Sequence, residues 1–151
     1  MKKAFALLFM FIAISCNRNS PAPGAKIITV SIAPFEYFVI EIAGDDFYVN
    51  IMVPPGANPH IYEPYPGQIS NLRRSVAYIS NGYLGFEMTW LDRFYEMNES
   101  MVKLSLGDKI VPISSKHEHE GGHSEGADPH YWVSPKCAVT IATSVKDLLC
   151  G

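Results

Sequence analysis

The stretch Lys26-Ile-Ile-Thr-Val-Ser-Ile-Ala33 is rich in β-branched residues and carries apolar side chains on both of its alternating faces. β-Branched residues favour strands, and a strand that is apolar on both faces is typical of the interior of a parallel sheet. We therefore predict a buried strand here, which Pro34 ends. A chain of 151 residues has room for about one domain of this kind.

Strand and helix patterns alternate along the rest of the chain. Further strands are predicted at 47–53, 75–80 and 101–106, with 109–113 as a continuation of the last one. Helices are predicted at 35–43, 68–74, 86–97 and 136–149 from their spacing of apolar residues. This alternation predicts an α/β fold with a mainly parallel, four-stranded sheet flanked by helices. We expect the last helix to carry an apolar face that the chain does not cover.

The amino-terminal segment has the pattern of an export signal. Two lysines precede an apolar run at 4–14 that is too short to span a bilayer, so residues 1–15 are predicted to be a signal peptide. Ala13-Ile-Ser-Cys16 resembles a bacterial lipobox, in which the cysteine is acylated after cleavage. Residues 16–25 then form a lipidated, flexible tether. The alternative is a plain secretory signal with a chance cysteine.

Charge and cysteine content exclude several classes of protein. The formal net charge is −3 and no basic patch is present, which argues against a nucleic-acid partner and is compatible with a cationic ligand. The chain has three cysteines, of which Cys16 is assigned to lipid. Cys137 and Cys150 fall in one predicted helix, about 20 Å apart, which is too far for a disulfide.

A proline-rich loop is predicted after the second strand, in Val53-Pro-Pro-Gly-Ala-Asn-Pro-His-Ile-Tyr-Glu-Pro64. Each proline restricts its own backbone and that of the residue before it, so His60 loses little freedom when it binds a partner. A ligand loop on a rigid scaffold has this character. The alternative is a connector in which the histidine is incidental.

A second histidine stands in a similar setting, in Asp128-Pro-His-Tyr-Trp-Val-Ser-Pro135. Ligands of α/β sheets bind outside the carboxyl ends of strands, and both histidine loops follow strands. We therefore expect His60 and His130 to converge, as imidazole ligands suited to zinc or a neighbouring first-row metal. The alternative for His130 is a half-buried ring that packs against Tyr131 and Trp132.

The segment His117-Glu-His-Glu-Gly-Gly-His-Ser-Glu125 interleaves histidines with glutamates and glycines. Such tracts bind metals with little specificity. We predict auxiliary metal capture by His117, His119 and His123. An acidic, solvated loop is the alternative.

Taken together, the proline loop, Asn81-Gly82 with Trp90-Leu91, the histidine tract and the second histidine loop resemble the solute-binding proteins of zinc/manganese ABC transporters. These are metal-binding lipoproteins, often grouped with adhesins, whose two α/β lobes are joined by a long helix. The resemblance implies that His60 and His130 are the first two metal ligands. It also implies Zn²⁺ as the cargo, with Mn²⁺ as the alternative, and an ABC permease as the partner.

The resemblance covers the first lobe of that family. It divides the chain into the lobe at 26–135, with a histidine-rich loop at 113–127, and the start of the linking helix at 136–151. The remaining ligands, a histidine and a carboxylate of the second lobe, are expected outside this sequence. We thus expect an exported, lipid-anchored metal receptor that faces the periplasm or the cell exterior. A truncated remnant without transport function is an alternative.

Two other functions compete with metal delivery. A metal-dependent hydrolase would use His60, His130 and Asp128 as ligands and Glu63 as a base, but the sequence has no HExxH or similar helical signature. An adhesin or extracellular interaction protein is the other alternative. The sequence favours a binding module, without catalytic residues, over both.

Overall fold

The computed structural model describes residues 20–59, 61–111 and 128–151. The signal peptide, Cys16, His60 and the tract with His117, His119 and His123 lie outside the described residues, and what the sequence predicts for them stays a prediction. Within the described residues, no helix is long and apolar enough to cross a membrane.

Strands and helices alternate in the order that the sequence predicts. The strands are β1 (Lys26–Ile32), β2 (Phe47–Val53), β3 (Ser75–Ser80) and β4 (Val102–Ser105). The α-helices are α1 (Ala33–Ala43), α2 (Pro66–Leu72), α3 (Gly85–Met97) and α4 (Pro135–Cys150). Short 3₁₀ turns occupy Gly44–Asp46, Gly107–Lys109 and Tyr131–Val133.

The four strands of the described chain form one parallel sheet in the order β2-β1-β3-β4. β1 is central, and it is buried from its second residue onward, which confirms the sequence prediction. The last residues of β1 and β2, Ile32 and Val53, are direct neighbours in the register. The start of α1 and the loop after β2 therefore lie side by side at one edge of the sheet.

Helices cover both faces of the sheet. α1 packs against α4 on one face, where Phe35, Ile141 and Val145 are completely buried. On the other face, the ring of Phe94 in α3 lies 5.9 Å from the ring of Tyr78 in β3. Right-handed crossovers between parallel strands produce this two-sided arrangement.

Several boundaries and one packing prediction differ from the sequence analysis. The predicted extension at 109–113 is wrong for its described residues, because the chain turns at Gly107, where a Cβ would stand 2.8 Å from the Asn81 carbonyl. Helices α1 and α2 begin two residues early, since proline fits the first turn of a helix. The expectation of an uncovered α4 face is also wrong in its centre, as Ile141 and Val145 have no exposed area. Cys137 and Cys150 are both free thiols.

Candidate metal centre

A cleft of about 280 Å³ opens at the carboxyl ends of the strands. Its walls come from the end of β1 with the start of α1, the loop after β2, the turn after β3, and the segment before α4. Liquid water takes about 30 Å³ per molecule, so the cleft admits an ion together with several waters or side chains. Two of its lining residues are Pro59, the neighbour of His60 in the chain, and His130.

The first loop, residues 54–65, begins with a tight turn. The Ala57 N–H donates to the Pro54 carbonyl at 3.1 Å, and Gly56 adopts φ +83°. Proline at the second position and glycine at the third are the residues that a type II turn requires. The loop turns again where the Ile61 N–H donates to the Asn58 carbonyl at 3.3 Å. Local sequence thus shapes the start of the first loop.

Gln68 of α2 fastens the first loop to the end of β2. Its Nε2 donates to the carbonyls of Ile51 and Met52 at 2.7 and 3.0 Å. Its Oε1 accepts from the Tyr62 hydroxyl at 2.9 Å and from the Tyr65 N–H at 2.8 Å. One side chain therefore links the strand to the far part of the loop.

The second loop, residues 128–134, presents His130 to solvent beside the cleft. Its side chain is 66% exposed, and its Nδ1 lies 2.8 Å from Oδ1 of Asp128. A carboxylate only accepts hydrogen bonds, so Nδ1 carries the proton. The lone pair of the neutral ring is then on Nε2, which is the atom left to bind a metal. This geometry contradicts the half-buried alternative for His130, although the ring does lie 5.2 Å from that of Trp132.

Asp128 is suited to hold the histidine in this tautomer. The same carboxylate oxygen also accepts the His130 backbone N–H at 2.9 Å. The backbone hydrogen bond, followed by the side-chain one, lowers the pKa of Asp128 from its ordinary value of 3.8. The carboxylate therefore stays ionised and remains an acceptor under weakly acidic conditions.

Behind the second loop lies a polar network centred on Asn81, the buried residue that follows β3. The Asn81 Nδ2 donates to the Pro129 carbonyl at 3.0 Å, and the Tyr131 hydroxyl donates to the Asn81 carbonyl at 2.8 Å. Glu87 of α3 accepts the backbone N–H groups of Asn81 and Gly82, each at 2.6 Å. The network joins the turn after β3 to the residues on both sides of His130.

Burial shifts the acidities in this network. Desolvation raises the pKa of Glu87 from its ordinary value of 4.5, and the hydrogen bonds that the carboxylate accepts partly oppose this shift. Burial also raises the pKa of Tyr131 far above its ordinary value, so its hydroxyl remains a donor at all physiological pH. The side chains of Asn81 and Glu87 are 0% and 3% exposed.

The structure brings part of the predicted site together. Pro59 and His130 line the same cleft, while His60 itself lies outside the described residues. Within the described ranges, no three histidine, cysteine, aspartate or glutamate side chains are grouped so that they could hold a metal. Glu63, the base of the hydrolase hypothesis, is exposed and is not among the lining residues of the cleft.

Sequence reasoning missed Gln68, Asn81 and Glu87 as parts of the site. Asn81-Gly82 contributes to the family resemblance without a predicted role in the site, and Glu87 stands in the first turn of a helix, where an acidic side chain is ordinary. The available signal was weak. A glutamate beside Phe86, on the buried side of an amphipathic helix, requires hydrogen-bond partners, and the turn before it offers free N–H groups.

A family model for "Zinc-uptake complex component A periplasmic" matches residues 28–150. The zinc-binding lipoprotein AdcA of Streptococcus pneumoniae is 27% identical over an alignment of 163 residues. The alignment covers 99% of this chain and 32% of AdcA. The iron-binding protein YfeA of Yersinia pestis is 26% identical and is covered to 45%. The chain thus spans about a third to just under half of the length of these relatives.

Solved structures share the fold. A crystal structure of a zinc-bound deletion mutant of ZnuA matches with a TM-score of 0.71 and 36% sequence identity, over 83% of this chain and 46% of that chain. The manganese-bound periplasmic metal binding protein from Candidatus Liberibacter asiaticus matches with a TM-score of 0.69 over 82% of this chain and 44% of that one. At 22% identity, the second likeness concerns the fold alone.

Proposed function

The chain belongs to the family of periplasmic zinc-uptake complex component A proteins, and on this premise we propose that it binds Zn²⁺ outside the cytoplasm for delivery to an ABC permease. The observation that carries the proposal is the state of His130. Asp128 fixes its Nδ1 at 2.8 Å beside a cleft that Pro59 also lines, which leaves Nε2 as a ligand atom. A carboxylate behind a metal-binding imidazole is a recurrent arrangement in zinc sites.

His60 is the proposed second ligand. It is bonded to Pro59, a residue of the cleft wall, so both histidine loops approach the same space. Zinc sites normally contain three or four protein ligands. Two imidazoles therefore hold the ion weakly, with water in the remaining positions, unless other protein groups join them.

Zinc is preferred over manganese because of the ligand type. Imidazole nitrogen suits zinc, whereas manganese favours carboxylate and carbonyl oxygen. The name of AdcA in Streptococcus pneumoniae refers to zinc, and that of YfeA in Yersinia pestis refers to iron. Mn²⁺ is kept as the alternative cargo.

Auxiliary capture by His117, His119 and His123 is also proposed. The described residues on either side of this tract are bound to the turn after β3, because the Tyr83 hydroxyl donates to the Ile110 carbonyl at 3.2 Å and Asn81 donates to the Pro129 carbonyl. Pro129, which follows the tract in the sequence, lines the cleft. A lipid anchor at Cys16 would keep the protein at the membrane next to its permease.

The family assignment favours binding over catalysis. Its description names a component of zinc uptake, and members act as solute-binding proteins, not as enzymes. The hydrolase alternative also lacks a placed base, as Glu63 is exposed and does not line the cleft. The names of the relatives give the adhesin alternative no support.

A zinc titration of the full chain, with manganese as competitor, tests the proposal. Three proteins are compared: the unchanged chain, the double variant His60→Ala with His130→Ala, and a triple variant in which His117, His119 and His123 are alanine. We expect the double variant to lose one equivalent of zinc binding that the triple variant keeps. Unchanged binding in the double variant would overturn the proposed site.

A further inference from the structure

We propose that Asn81 is the positioning residue of His130 and that its hydrogen bonds on both sides of the histidine set the affinity of the site for zinc. This inference rests on the proposed function. It concerns a residue that binds no metal and acts through the backbone of the second loop.

The contacts of Asn81 bracket the histidine. Its side-chain amide donates to the carbonyl of Pro129, which precedes His130, at 3.0 Å. Its backbone carbonyl accepts from the hydroxyl of Tyr131, which follows His130, at 2.8 Å. The two neighbours of the ligand in the chain are thus held by one residue.

Asn81 is itself held from behind. Its side-chain oxygen accepts the Tyr83 N–H at 3.1 Å, and its own N–H donates to Glu87 at 2.6 Å. Glu87 projects from α3, whose residues Phe86 and Phe94 are buried in the core. The position of Asn81 is therefore fixed by its bond to a helix that packs in the core.

His130 needs this external support because, among the residues that the structure describes, its mostly exposed side chain contacts Asp128 in the same loop and the ring of Trp132. Asp128 is itself exposed, so it orients the ring relative to the loop and leaves the position of the loop to other groups. Ligand geometry must be accurate to about 0.5 Å, and loss of supporting hydrogen bonds costs about 10–100-fold in metal affinity.

The fold offers a matched control at the other end of β3. Asn98 is also nearly buried, at 9% exposed, and its Nδ2 also donates to backbone carbonyls, those of Leu72 and Ser75, at 3.1 and 2.8 Å. Ser75 begins β3, whereas the cleft lies beyond its last residue, Ser80. Asn98→Ala therefore removes a similar structural interaction far from the histidine.

The test measures zinc affinity and unfolding on the same full-length proteins. We expect Asn81→Ala and Asn98→Ala to lower the midpoint of urea unfolding alike, and only Asn81→Ala to weaken zinc binding, by about tenfold or more. The ring signals of His130 in NMR spectra of the metal-free protein should shift in Asn81→Ala and stay in place in Asn98→Ala. Equal zinc affinities for the two asparagine variants would overturn the inference.

Tyr131→Phe keeps the test decisive if Asn81→Ala does not fold. It removes one hydroxyl and leaves the ring, and we expect a weaker loss of zinc affinity in the same direction. His130→Ala separates the two proposals. If it binds zinc as the unchanged chain does, the proposed site fails; if it loses zinc while Tyr131→Phe and Asn81→Ala bind normally, only the positioning role fails.

Discussion

The two histidine loops are stiffened by different means. The first loop contains its own restraints, in its prolines, the Gly56 turn and the nearby Gln68, only six positions from Tyr62. The second loop is held by residues distant in the chain, since 48 positions separate Asn81 from Pro129 and 50 separate it from Tyr131.

This difference determines how each loop responds to substitution. The bonds that fasten the first loop are part-buried or exposed, so water replaces them at moderate cost. In the network behind the second loop, the bonds of Asn81 to Glu87 and to Tyr131 are buried, and the bond to Pro129 is part-buried. A group that loses its partner in the buried part remains unsatisfied. Disturbing the support of the second loop should therefore affect the stability of the whole domain.

The largest expected difference is between two glycine substitutions. Gly82 has φ +95°, and a Cβ there would stand 3.0 Å from the Gly107 Cα, whereas Gly56 has φ +83° and open space around it. We expect Gly82→Ala to lower the free energy of unfolding by about 3 kcal/mol and Gly56→Ala by about 1 kcal/mol, because only the first adds a backbone clash to the conformational strain. Urea unfolding measures both. Equal costs would remove the contrast between the two loops.

A smaller effect is expected where the second loop is restrained locally. Asp128→Asn keeps the shape of the side chain and removes the charge that holds the proton on Nδ1 of His130. We expect zinc affinity to fall by about tenfold with no change in unfolding, since supporting groups of metal ligands have effects of this size. Asp147→Asn on α4, another exposed aspartate with a basic neighbour, is the control and should bind zinc normally. A loss of stability in Asp128→Asn would show that the carboxylate supports the fold as well.

The smallest effect concerns pH. Gln68, which fastens the first loop, is uncharged, whereas Glu87, which holds Asn81 behind the second loop, has a pKa that burial raises above 4.5. The folded state then binds this proton more tightly than the unfolded state, so the group's contribution to stability falls as pH rises from 4.5 through the raised pKa, and is constant above it. The free energy of unfolding of the unchanged chain, relative to that of Glu87→Gln, should fall as pH rises through this range. A difference that grows with pH would contradict it.

The sequence predicts the elements well because their signals are local. The β-branched run of β1 and the helical spacing of α3 each lie within one segment, and the structure confirms both. The failed extension after β4 has a non-local cause. Gly107 packs against the Asn81 carbonyl, a contact that no pattern around residue 107 shows.

The candidate site follows the same rule. His130 is predicted as a ligand from its own loop, whereas Asp128 enters the sequence analysis only as a third ligand of the hydrolase alternative, and its bond to His130 is seen in the folded chain. The roles of Asn81 and Glu87 depend on how β3 and α3 are placed beside the second loop, which is a property of the folded chain. The pairing of His60 with His130 stays a prediction.

The order of the strands has a consequence for the evolution of such sites. The chain proceeds from β1 outward to β2 and then returns across β1 to β3, so the connections on the two sides of β1 diverge toward opposite faces of the sheet. A crevice at this topological switch point arises from the path of the chain alone. The identity of the side chains at its rim is a separate matter. A change of side chains in the two short loops would therefore alter the chemistry of the crevice and leave the sheet that forms it intact.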